Sequence, residues 1–103
     1  MVWVPELDAH EKDVDPATRL VTDPRATQWW DGEDILPHAY QPVLGIPVAV
    51  WDVYFLYGPS AHWEGDAPPR PDYWMHQLNG AENAAPFLDA RELEKHAEAL
   101  LPR

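Results

Sequence analysis

Apolar residues fall along this chain in two rhythms, alternate and four apart, and the changes between them mark its elements. Val2-Trp3-Val4 ahead of Pro5 predicts a short strand at the start. Asp8 and Glu11 have capping-box spacing, but a helix begun there would carry Pro16 inside it. Asp15 as N-cap with Pro16 at the first helical position instead predicts a helix over 16–22. A short strand follows over 26–30. From Asp31 the apolar residues pair four apart, Ile35/Leu36, Ala39/Tyr40 and Val43/Leu44, which is helical period. Pro37 and Pro42 interrupt it, so the expectation is a kinked helix or two short turns, ended by Gly45.

The second half is written more plainly. Positions 47–57 are rich in Val, Trp, Tyr and Phe between Gly45 and Gly58-Pro59-Ser60, and predict a strand covered on both faces. A long proline-rich loop, AHWEGDAPPRP, leads to a strand over 72–78 that Asn79-Gly80 ends. Asp89 and Glu92 form a capping box, with Leu88 and Leu93 at the staple positions of a closing helix. Leu93, Ala97, Leu100 and Leu101 line one face of that helix, and Glu92, Glu94, Lys95 and Glu98 face water. The order is strand, helix, strand, helix, strand, strand, helix. It predicts an α/β fold in which helices flank a small sheet and a ββα unit closes the chain.

Composition narrows the partners. At 103 residues the chain is expected to form one domain, with a core dominated by six Trp, four Tyr and two Phe. Seven basic against eighteen acidic residues give a net charge of −11, which disfavours nucleic acid and anionic membranes and favours a basic protein or a cation. With no cysteine there is no disulfide, thiolate nucleophile or thiolate-held zinc. The first residues, MVWVPELDAHEKD, show neither a basic start nor a long apolar run, so a bacterial-type cytoplasmic location is expected.

One acid interrupts the most apolar strand. On a two-residue period Asp52 shares a face with Val48, Val50, Tyr54 and Leu56, and a buried carboxylate there needs a partner. The next strand offers His76, so Asp52 and His76 are the candidate acid–imidazole pair, either a structural hydrogen bond or the catalytic pair of a small enzyme. The other histidines, His10, His38, His62 and His96, lack metal-ligand spacing, and His96 is expected to pair with Glu92 one helical turn away. No metal or other cofactor is expected, since no phosphate-binding glycine loop is present either. Ser60 sits in a Gly-Pro-Ser turn rather than a nucleophile elbow. Trp29-Trp30, Trp63 and Trp74 could line a groove. Trp63, in the loop beside Glu64, Asp66 and Pro68-Pro69, is the best candidate for an exposed recognition residue.

Gly45-Ile46-Pro47, followed by VAVWDVYFLYG, YWMHQL and a capped terminal helix, resembles the C-terminal part of thioredoxin-like proteins. In that fold a proline, typically cis, precedes the third core strand, and a ββα unit ends the domain. VWVPEL, WWDGED, VWDVYFLYG and PDYWMHQL together resemble a set of uncharacterised bacterial thioredoxin-like proteins over nearly the whole chain. The resemblance implies a truncated, cysteine-free domain lacking the N-terminal strand and the Cys-x-x-Cys helix, and so incapable of thiol exchange. It also implies that the strand at Val2 has lost its neighbours, so a homodimer is expected to cover the exposed edge. The expected function is a non-redox binding module. Ile46, Pro47, Trp63 and Trp74 are its candidate contact residues, with a basic protein or a small molecule as the ligand. The alternatives are a small enzyme using Asp52 and His76 near the Pro47 loop, and a fragment of a longer redox protein without an independent role.

Overall fold

The structure is a computed structural model of the chain and describes residues 1–19 and 22–102. It is mixed α/β: β1 (Val2–Trp3), a single 3-10 turn (Glu11–Asp13), α1 (Val14–Thr18), β2 (Trp29–Trp30), α2 (Ile35–Leu44), β3 (Val53–Leu56), β4 (Tyr73–His76) and α3 (Ala90–Leu100). In place of one small sheet there are two of two strands each, β1 parallel to β2 and β3 antiparallel to β4. The chain divides into two compact units, Met1–Leu36 and Pro37–Arg103.

In the first unit, Val2 pairs with Trp29 and Trp3 with Trp30. The Trp29 amide donates to the Met1 carbonyl and the Asp31 amide to the Trp3 carbonyl, both at 2.9 Å. The N-terminal ammonium reaches the Thr27 carbonyl at 2.7 Å, and the Trp3 indole N–H donates to Gln28 Oε1 at 2.9 Å. Val2 and Trp29 are exposed, and among the described residues of this unit none is fully buried. The first helix begins earlier than its sequence suggests. The 3-10 turn over Glu11–Asp13 runs into α1 at Val14, with Asp13 accepting from the His10 amide at 2.8 Å. Pro16 is therefore the third helical residue, still within the turn whose N–H groups need no helical acceptor. Of the expected course over 16–22, positions 20–21 lie outside the described residues, and Thr22, its expected end, is not helical.

Before α2, Asp34 takes a left-handed φ of 53°, which folds the chain back so that the Asp31 carboxylate accepts from the Ile35 and Leu36 amides at 3.0 and 2.8 Å. α2 is one continuous ten-residue helix rather than two turns, with Pro37 in its first turn and Pro42 inside it. Gly45 ends it in the left-handed conformation, φ 67°, with its amide bonded to the Gln41 carbonyl at 2.9 Å.

In the second unit, the core joins α2 to the β3–β4 ribbon and the loops beside it: Tyr40, Leu44, Ile46, Val50, Trp74, Met75, Leu78 and Ala81 are buried. β3 is much shorter than the run 47–57. Asp52 has φ 53°, outside strand conformation, so pairing begins only at Val53. The Tyr73–His76 strand pairs residue for residue with Val53–Leu56, Val53 facing His76 and Phe55 facing Trp74. The other edge of β4 is covered: His76 donates its amide to Pro86 at 3.3 Å and accepts from the Leu88 amide at 2.8 Å. Asp89 then caps α3, Oδ1 accepting from Arg91 and Glu92 amides at 3.0 and 3.2 Å. Glu92 does not return the capping-box bond but accepts from Lys95 Nζ at 3.3 Å. Leu93, Ala97 and Leu100 are half-buried, while Leu101 lies past the helix end and is exposed. Among the described residues no helix is long and apolar enough to cross a membrane.

Candidate functional site

The connection between β3 and β4 is sixteen residues long, far beyond the usual hairpin loop, and it is fastened at both ends. At its base the Gly58 amide donates to Asp72 Oδ2 at 2.6 Å and the Asp72 amide to the Leu56 carbonyl at 2.9 Å. One residue further in, the Tyr57 hydroxyl donates to the Pro69 carbonyl at 2.7 Å. That leaves the Tyr40 hydroxyl to donate to Tyr57, across 2.6 Å, so α2 is tied to the loop through two phenols. Arg70 reaches the other way, its Nη1 donating to the Val43 carbonyl at 2.8 Å near the end of α2. Pro68 and Pro71 are buried, so the proline run faces inward.

Burial, then the bond to Tyr40, push the Tyr57 phenol far above its ordinary range, since its ionised form would lose water and oppose the partner oxygens. Tyr57 is thus a fixed donor rather than an acid or base. Phe55 lies 4.6 Å from Tyr40 and 6.0 Å from Trp74, centroid to centroid, which continues the aromatic packing under the loop.

On this base the loop presents a short arc. Glu64 and Ala67 form an isolated antiparallel bridge around Gly65, whose φ of 65° an alanine would adopt only under strain. Trp63 folds back over the turn, its indole N–H donating to the Gly65 carbonyl at 2.8 Å, and meets Tyr40 edge-on at 6.3 Å. The indole is held in place and still 45% exposed. His62 Nε2 and Glu64 Oε1 are 2.7 Å apart and both solvent-facing. Ser60, Ala61, His62, Glu64, Ala67 and Pro69 line a shallow, open depression of about 400 Å³.

The structure does not bring Asp52 and His76 together. Val53, not Asp52, is the register partner of His76, and the Asp52 carboxylate takes the hydroxyl of Tyr54, which alternation along the strand puts on the face away from Val53 and His76. His76 is fully buried and both ring nitrogens are taken by backbone: Nε2 lies 2.9 Å from the Ala85 carbonyl, and Nδ1 accepts from the Leu78 amide at 3.0 Å. An Nδ1 that accepts from an amide and an Nε2 facing a carbonyl describe the neutral imidazole protonated on Nε2. The acid at position 52 has a different explanation. Aspartate tolerates the left-handed turn that starts the strand, and its carboxylate accepts from the Tyr54 hydroxyl at 3.2 Å while its carbonyl accepts from Gln77 at 3.1 Å. Burial and the nearby Asp52 charge raise the Tyr54 phenol above its usual range.

Of the candidate contact residues, Ile46 and Trp74 are core, 5% and 6% exposed, whereas Pro47 and Trp63 face solvent. All peptide bonds among the described residues are trans, that of Pro47 included. His96 does not pair with Glu92 but stacks on Tyr73. Among the described residues no three His, Asp or Glu side chains gather as a metal site. Sequence reading missed Tyr40, Tyr57 and Asp72 as the anchors of the loop. The available signal was that a tyrosine hydroxyl placed among apolar residues needs a hydrogen-bond partner. No protein-family model, no curated protein and no solved structure matches the chain.

Proposed function

We propose that this chain is a non-redox binding module, a cysteine-free thioredoxin-like domain whose recognition surface is the arc of the β3–β4 loop around Trp63. The observation that carries the reading is the Trp63 indole, fixed by Gly65 and Tyr40 yet 45% exposed on a loop tied down at both ends. A protein does not gain stability by leaving a large apolar ring half in water, but a pre-positioned aromatic anchor lowers the entropic cost of binding. The thioredoxin-like part of the proposal draws support from the element order and from Gly45-Ile46-Pro47 preceding the third strand.

The module is further proposed to act as a homodimer. Its support is the β1–β2 pair, where the main-chain groups of Val2 and Trp30 point away from the partner strand and the Val2 and Trp29 side chains are exposed. The recognition reading is tested by selecting random peptides on the intact chain, with Trp63→Ala as counter-target. A consensus that depends on Trp63 is expected, and the lack of one would remove the reading.

A further inference from the structure

Resting on that recognition surface, we infer that its ligand is cationic: an arginine side chain of a basic peptide segment, stacked on Trp63 and bonded to the carboxylates beside it. Three features of the loop point this way. Trp63 is 45% exposed with its electron-rich indole held in one orientation, and the attraction of a guanidinium to an indole face grows as water is displaced. Glu64 and Asp66 flank Gly65, whose carbonyl holds the indole, and both acids are exposed. The guanidinium within the loop is turned away, Arg70 being committed to the Val43 carbonyl, and the contact of Glu64 with His62 is fully open to solvent.

The charge of the whole chain acts in the same sense. With a net −11, a basic segment is drawn in from solution and an acidic one is repelled. The depression in the same loop, lined by His62 and Glu64 among others, is open rather than a closed pocket, which suits an extended segment laid across it. Arginine fits better than lysine because its planar group both stacks on the indole and forks onto a carboxylate, whereas an ammonium is a point charge with a tighter water shell.

The experiment titrates the intact protein, by calorimetry, with a short arginine-bearing peptide and with its citrulline counterpart, which keeps the shape and loses the charge. Binding of the arginine peptide is expected to weaken about tenfold or more in Trp63→Ala and to survive largely in Trp63→Phe, which retains a ring face. It is expected to weaken in Glu64→Gln/Asp66→Asn, to fall as salt rises from about 50 to about 500 mM, and to vanish with citrulline. Circular dichroism of each variant shows that the fold is kept, and Trp63→Phe carries the test should Trp63→Ala not fold. Equal binding of the citrulline peptide, equal binding to Trp63→Ala, or no binding of the arginine peptide would overturn the assignment. The peptide selection separates the two levels. A Trp63-dependent consensus without a cation overturns the arginine assignment alone, and no Trp63-dependent consensus removes the recognition surface as well.

Discussion

The imidazole of His96 lies flat against the ring of Tyr73, centroids 3.5 Å apart and planes 4° from parallel. This stack joins α3 to β4 where the helix has no fully buried residue of its own. Aromatic pairs of this kind contribute about 0.5–1.5 kcal/mol beyond the area they cover, so His96→Ala is expected to lower stability by about 1 kcal/mol or slightly more. His96→Phe, which keeps the stack, should lose less. Urea denaturation of the three proteins decides it, and equal loss in both variants would show that the stack contributes nothing.

His76 serves the second unit as a two-ended backbone clamp, holding Ala85 on one nitrogen and Leu78 on the other. His76→Leu keeps an apolar filling but leaves the part-buried Ala85 carbonyl and the buried Leu78 amide without partners, each at about 1–3 kcal/mol. A loss of about 3 kcal/mol in chemical denaturation is expected, with binding at the Trp63 arc unchanged for the folded fraction. A loss under about 1 kcal/mol would mean that water or a shifted backbone replaces the ring.

The Tyr57 phenol under the loop predicts an alkaline limit. The folded state holds the Tyr57 phenol well above its ordinary value, so its contribution is fully present below about pH 10 and is lost as pH rises beyond that. Stability is therefore expected to fall steeply in the alkaline range, with Tyr57 ionising only on unfolding. Ultraviolet titration of tyrosinate reads this directly, and Tyr57→Phe should remove one late-titrating group. A normal titration of all four tyrosines in the folded protein would contradict it.

Dimerisation should respond to salt in the opposite direction to peptide binding. Two chains of net −11 repel, while the Val2 and Trp29 surfaces proposed to meet are apolar, so screening favours association. Sedimentation equilibrium is expected to show more dimer at about 500 mM than at about 50 mM salt, and Trp29→Glu should give a monomer at both. A monomer throughout would remove the dimer from the proposal.

How much of this was legible beforehand follows from the kind of signal each element carries. α3 begins where Asp89 says it begins, because a cap and its staple leucines are neighbours in sequence. The pairing of the two aromatic runs was equally readable from composition. The start of β3 was not: Val48 and Val50 look like strand residues, but the bend at 47–48, the tight turn from Trp51 to Ala49 and the left-handed residue Asp52 exclude them, conformations that their neighbours do not announce. The acid–imidazole pair failed for a related reason. A shift of one residue in register moves a side chain to the other face, and His76 found its partners in the main chain of Leu78 and Ala85, which carries no mark in the sequence. Trp63 was readable as exposed because carboxylates and prolines surround it. Its rigidity was not, since that depends on Tyr40, twenty-three positions earlier.

The buried prolines at 68 and 71 and the ties at Gly58, Pro69 and Asp72 make the loop a bezel, in which the rim is fastened and only the stone is interchangeable. Residues 61–67 can therefore be exchanged for another short sequence closing through a glycine turn, with the ribbon beneath left as it is. The same chain becomes a scaffold for new specificities by editing seven consecutive positions.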